Sequence, residues 1–307
     1  MRRAGLLLLA VGVALCAPPP ERSNLLHVPV WATSRESAPL DKASLSAKVN
    51  GAPAAVEAVH GPSDDLVLLL TLDLTDDLSL AGLAKDALVS SLDALPSNAN
   101  VAVLRAQDGL SVLLDPTADR ARAGETVRDL PVSGKAGLLD TIATSVRVAD
   151  SILDKAAVRV AVVYITDSSI QNYREDFINP VINSSDEHDM SRRFPGALIR
   201  EKISKLEGKL APYEAPVFIV HIAYRADSLN DAYQTGLLQL IPSWGGSSAL
   251  CRSRAEVSEN IVGAFRAAQS HYSVVLRLPE RRAKTLQVQL DAPHHSLSYR
   301  NRFLTGR

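Results

Sequence analysis

Two aspartates stand at the exits of apolar runs. Asp73 follows Leu66 to Leu72 (LVLLLTL), and Asp167 follows Val158 to Thr166 (VRVAVVYIT). As a carboxylate pair they would suit a hydrolase, but no other base, acid or nucleophile stands in a pattern that does chemistry. The chain has no Gly-x-Ser-x-Gly elbow, no His-Glu-x-x-His, no Gly-x-Gly-x-x-Gly after its first buried strand, and no cysteine with catalytic helpers. The residues therefore read as belonging to a protein that is not an enzyme. Asp77 and Asp167 also suit helix caps, since a side-chain oxygen before a helix satisfies its free amide N–H groups. Gly134-Lys135 has the look of a phosphate-loop fragment. Position 129 is not glycine, however, and Ala136 stands where a hydroxyl is needed, so that reading is rejected. His294-His295 has no nearby Cys, Asp or Glu ladder and reads as surface.

The elements that must position these groups follow from periodicity. Leu66–Leu72, Val158–Thr166 and Val217–Ala223 (VFIVHIA) are continuous apolar runs, as in strands covered on both faces of a mostly parallel sheet. Between them, Leu80, Leu83, Ala87, Leu88 and Leu92 recur at helical spacing. So do Leu138, Leu139, Ile142, Val146, Ala149, Ile152 and Leu153. A polar helix is expected from Ala118 to Asp129, with further helices at Ala197–Leu210, Leu229–Leu240 and Ala255–Ala268. Asp108-Gly109 between Val101–Ala106 and Leu110–Leu114 predicts a hairpin, which makes one strand of the array antiparallel. Strands alternating with helices give an α/β sheet between helical layers.

The two ends read differently. His27–Thr33 is β-like, and Asn50-Gly51 predicts a second hairpin within Ser44–Val59. The tail offers strands at Tyr272–Leu278, Thr285–Leu290 and Ser296–Phe303. Neither end holds enough strands to stand alone, so both should meet in one small β module. The expected division is 1–16 signal peptide, 17–63 opening β segment, 64–270 α/β domain, and 271–307 closing β segment packed on 27–59.

Arg2 and Arg3, the apolar run Leu6–Leu15 and the small residues after it form a secretion signal, with lipid anchoring at Cys16 as the rival. A secreted or periplasmic chain is implied. No later stretch is long and apolar enough to cross a membrane. With a net charge of −1 over 307 residues, no global field draws the chain to nucleic acid or an anionic membrane. Of its two cysteines Cys16 lies in the signal, so Cys251 is expected as a buried free thiol. Asp186-Glu187-His188-Asp189 lies in a polar stretch, Ser168–Pro195, that leaves the same edge as Asp167. It reads as a partner-binding surface or second ion site, against the plainer alternative of a solvated loop.

The order of elements resembles the von Willebrand factor type A superfamily, whose α/β sheet is Rossmann-like. Asp73-Leu74-Thr75-Asp76-Asp77 stands where that family has Asp-x-Ser-x-Ser, and Tyr164-Ile165-Thr166-Asp167 supplies its second aspartate. Ser133 to Asp140 (SGKAGLLD) stands at its Gly-Thr-x-Leu-x-Asp-like segment. Trp244-Gly245-Gly246, Tyr272–Pro279 and Tyr299–Phe303 (YRNRF) further resemble the VWFA-related domain family described from acidobacteria, over nearly the whole mature chain. The resemblance implies a protein partner and a site for Mg²⁺ or another divalent cation, held by Asp73, Thr75, Asp77 and Asp167. The site is degenerate: Asp77 replaces the second serine, and Ala136 stands at the threonine and offers no oxygen. Ser79, Ser133 or Thr141 could substitute only with poorer spacing. Two functions are expected to compete, an exported adhesion or scaffold module and an envelope assembly component with no metal. A hydrolase ranks below both.

Overall fold

The computed structural model describes residues 24–34, 38–169, 195–278 and 283–305. The first sixteen residues and the Asp186, Glu187, His188, Asp189 cluster lie outside them.

The α/β part begins with β4 (Leu66–Asp73) and α1 (Leu78–Asp93). The hairpin strands β5 (Ala99–Arg105) and β6 (Ser111–Thr117) follow, then α2 (Arg120–Asp129) and α3 (Leu138–Leu153). Three strand–helix steps complete it: β7 (Arg159–Thr166) with α4 (Pro195–Leu210), β8 (Val217–His221) with α5 (Ser228–Trp244), and β9 (Ser247–Leu250) with α6 (Arg254–Ser270). The sheet order is β6-β5-β4-β7-β8-β9, with every pairing parallel except β5–β6. The apolar runs are apolar throughout because helices cover both faces. Leu68, Leu70 and Leu72 pack towards α1 and α6, while Leu69 faces α3, α4 and α5. β4 and β7 lie adjacent and in register, with Asp73 opposite Thr166, so their exits emerge side by side.

The β segment is not small. β1 (Leu25–Ser34), β2 (Ser46–Val49) and β3 (Ala52–His60) combine with β10 (Tyr272–Arg277), β11 (Thr285–Asp291), β12 (His295–Tyr299) and β13 (Arg302–Leu304). They form one seven-stranded antiparallel sheet, β12-β1-β10-β3-β2-β11-β13. It has more strands than the α/β sheet, because β10 enters between β1 and β3 while β11 extends the far side of β2. Its inward residues, among them Val28, Val30, Val49, Val274, Leu276, Val288 and Phe303, make a separate core. The tail segment Ser296–Phe303, expected as one strand, is two strands at opposite edges of the sheet. The break is at Arg300, whose side chain turns to the end of α4 and donates to the carbonyls of Tyr213 and Ala211.

Buried arginines tie the two sheets together. Arg159, at the start of β7, donates to the Gln269 and His271 carbonyls at the α6–β10 junction. It also donates to the Pro62 and Asp64 carbonyls at the β3–β4 junction, with all four bonds between 2.7 and 3.1 Å. Trp31 Nε1 donates to Ala267 O at 3.0 Å and meets Phe218 edge-on. Asp150 of α3 accepts the amides of Glu214 and Ala215, and Glu214 Oε2 in turn accepts the His27 amide at 2.7 Å.

Candidate functional site

Asp73 ends β4 fully buried. Its Oδ1 accepts the Gly137 amide at 2.9 Å; its Oδ2 accepts the Leu138 amide at 3.2 Å and the Thr166 hydroxyl at 2.9 Å. Gly137 is the N-cap of α3 and makes no side-chain cap of its own. Asp73 thus caps α3 from a neighbouring element, where free amides and the helix dipole favour an anion. Burial nonetheless pushes the Asp73 carboxyl up to about 7, with the nearby Asp167 charge adding to the rise against these hydrogen bonds. Gly137 permits the close approach, since a Cβ there would stand 1.9 Å from the Ala106 carbonyl oxygen.

Asp167, immediately after β7, is also fully buried. Its Oδ1 accepts the Thr75 amide at 2.7 Å and the Thr75 hydroxyl at 3.0 Å. Its Oδ2 accepts the Asp76 amide at 2.9 Å and the Asp77 amide at 3.1 Å. Three successive amides of the β4–α1 loop therefore converge on one carboxylate, forming an anion-binding nest. Asp77 turns the other way: its Oδ1 accepts the Ser79 and Leu80 amides, each at 2.9 Å, as the N-cap of α1. Asp76 pairs with Arg225 at 2.7 Å, across to the loop after β8. The next residue but one, Leu78, is 73% exposed.

The structure thus brings Asp73, Thr75 and Asp167 together and directs the Asp77 side chain to a helix end. Ala136 is buried and brings no oxygen. Thr141, the alternative oxygen, donates to the Gly137 carbonyl and lies 2.8 Å from the Tyr164 hydroxyl. Among the described residues no group of three or more His, Cys, Asp or Glu side chains could hold a metal ion. The donor set does not fit a divalent cation. Such an ion needs oxygen lone pairs converging on it, whereas the oxygens of Asp73 and Asp167 converge on N–H and O–H protons.

A polar chain beneath the site had no clear mark in the sequence. Ser168 Oγ lies 2.7 Å from the Thr166 hydroxyl and 2.9 Å from the Tyr233 hydroxyl. His221 Nε2 donates to the Ser168 carbonyl at 2.7 Å, and burial pushes its imidazole down to about 4. His221 and Tyr233 each sit in runs that read as ordinary core; Thr166 beside Asp167 was the one hint that polarity continued inward. Cys251 is buried and free as expected, with its thiol pushed up by burial.

No family model and no curated protein matches the chain. Among solved structures it is similar to a von Willebrand factor type A protein from Catenulispora acidiphila, at 13% identity over 90% of this chain and 76% of that one (TM-score 0.48). It is also similar to an aerotolerance-related membrane protein from Bacteroides fragilis, at 14% identity over 66% of this chain and 98% of that one (TM-score 0.38). A third is the mussel byssus proximal thread matrix protein 1 with zinc occupying its MIDAS motif, at 12% identity over 72% of this chain and 49% of that one (TM-score 0.44). The α/β part has the element order expected of a von Willebrand factor type A-like fold, and its strand order and register carry that statement.

Proposed function

We propose that this chain is an exported protein-binding scaffold module that meets its partner at the carboxyl-terminal edge of the α/β sheet. The tail and Gly-Gly segments resemble those of the VWFA-related proteins described from acidobacteria, which supports this reading. The observation that supports a docking role most is Leu78. It is the most exposed of the large hydrophobic residues among those described, at 73%, and it stands at the first turn of α1 next to the Asp76–Arg225 pair. Left in water, that side chain contributes nothing to folding; covered by a partner, it would gain about 1.5–3 kcal/mol. An exposed apolar side chain beside a charged pair suits an interface, where a polar rim flanks an apolar anchor.

The basic start and apolar run of the first fifteen residues support export, and no described helix is long and apolar enough to cross a membrane. The formal charge of −1 favours a protein partner over nucleic acid. A hydrolytic role for Asp73 and Asp167 is disfavoured because both are fully buried and hydrogen-bonded to the protein itself. The second reading, an envelope assembly component without a metal, draws support from those same engaged carboxylates.

Pull-down from envelope and secreted fractions tests both readings, using the mature chain and its Leu78→Asp variant, each with and without chelator. A partner captured by the native chain and lost by Leu78→Asp supports docking at this edge. Equal capture by the variant would remove the edge from the interface, and capture abolished by chelator would restore the metal-dependent adhesion reading.

A further inference from the structure

We propose that Asp167 and Asp73 form a cation-independent clamp, two internal carboxyl groups that fasten the β4–α1 loop and the start of α3 to the sheet where the fold would otherwise use a metal ion. The inference comes from where the protons point. Asp167 receives three loop amides and one hydroxyl, Asp73 two helix amides and one hydroxyl, at 2.7 to 3.2 Å. A bound cation and an N–H donor compete for the same oxygen lone pairs. Oxygens already filled by amide and hydroxyl protons have fewer lone pairs left to coordinate an ion, and the positive ends of those amides face any cation that enters.

The surrounding residues agree with this. Ala136 removes a ligand at the segment that opens α3, and the Asp77 carboxylate caps α1. Arg225 brings a guanidinium to Asp76, within the same loop, at 2.7 Å. That positive charge would oppose a divalent ion entering beside it. Thr75 donates its hydroxyl inward to Asp167 and so strengthens the nest. The loop is consequently held in one position whatever the ionic conditions, and the edge carrying Leu78 needs no ion to be preorganised. The clamp does not depend on the docking proposal: it holds whether or not Leu78 contacts a partner.

Mn²⁺ is the probe that tests it, because its effect on water-proton relaxation reports binding without any assay of function. The mature chain should leave the relaxation of millimolar Mn²⁺ at its free-ion value. Amide hydrogen exchange at residues 75–77 should be the same in chelator as in Mn²⁺. Asp167→Asn keeps the shape but loses one acceptor oxygen, so exchange at 75–77 should rise by about tenfold or more, while β10 amides stay unchanged. Should that variant fold too poorly for exchange, Thr75→Val deletes only the hydroxyl donor and should raise exchange at the same three amides by a smaller factor. Saturable Mn²⁺ binding by the native chain would overturn the clamp. So would unchanged exchange at 75–77 in both variants.

Discussion

Asp77 shows most plainly how one residue's type can be legible and its role not. The sequence places an acid where the family carries a serine ligand, and the same acid is a good helix N-cap. Capping prevails, since Asp77 Oδ1 meets two amides of the first turn at 2.9 Å. Asp77→Ala should therefore cost about 1 kcal/mol in urea denaturation, and Asp77→Asn only a few tenths, because asparagine caps equally well. A metal ligand would give a different result: alanine and asparagine would both lose the carboxylate and with it the ion's stabilisation, so asparagine too would cost stability once metal is added. Asp73 and Asp167 were readable as a pair from their places after apolar runs. Their partners were not, because amides carry no sequence mark and the loop's path decides which of them converge. Arg159 and Arg300, read only as parts of an apolar run and of the tail segment YRNRF, are both buried on backbone carbonyls. Carbonyls have no side-chain pattern to betray them.

Elements closed by local chemistry were legible, and those closed by distant pairing were not. Asn50 and Gly51, with φ of 52° and 81°, and Asp108 and Gly109, with 58° and 109°, make the expected tight turns in left-handed backbone. The alternation of β11 (TLQVQLD) matches its buried and exposed faces residue by residue. By contrast, β1 pairs with β10 at Leu25↔Arg277 and with β12 at Val30↔Tyr299. Contacts that distant in sequence leave no periodic signal, which is why seven strands looked like a small module. Two glycines show the same divide between local and tertiary constraint. Gly82 lies inside α1 with nothing within 4 Å of an added Cβ, whereas a Cβ on Gly137 would meet the Ala106 carbonyl oxygen at 1.9 Å. Gly82→Ala should raise stability by about 0.5–1 kcal/mol through helix propensity. Gly137→Ala should lower it by about 1–3 kcal/mol or more, because backbone must move apart at the site. Thermal melts of the two variants would separate the effects by sign, and a Gly137→Ala protein as stable as the parent would mean that the β5–α3 approach is looser than the structure has it.

Over the whole molecule, buried ionisable groups of opposite kind stand against each other. Burial, with the Asp167 charge, raises Asp73 from 3.8 to about 7, and burial, with the Glu214 and Asp154 charges, raises Asp150 from 3.8 to about 7. Burial lowers His221 and His271 from 6.5 to about 4, the latter helped by Arg159 and opposed by the Ala268 carbonyl. Between roughly pH 4 and 7 the folded chain holds two carboxyl protons that the unfolded chain has released. Their contribution is full below the unfolded value and is lost as pH rises, at about 1.4 kcal/mol per pH unit for each aspartate. Between roughly pH 4 and 6.5 the unfolded chain instead holds two imidazole protons that the folded chain lacks. That contribution is full above the unfolded value and is lost as pH falls, at the same rate per group. Exposed Asp41, Glu57 and Glu256, each held below its usual value by hydrogen bonds, come into play only at lower pH. The two pairs oppose one another, so stability should be nearly flat from about pH 4.5 to 6. It should then decline between about 6.5 and 7, where only the aspartates still titrate. Urea midpoints across that range would show the plateau, and single variants would show what produces it. Asp150→Asn should leave a profile that climbs with pH by about 1.4 kcal/mol per unit over the former plateau. His271→Gln, whose amide can still donate to Ala268 O, should leave one that descends at the same rate. A plateau that survives both substitutions would mean that these four groups do not set the pH response of the fold.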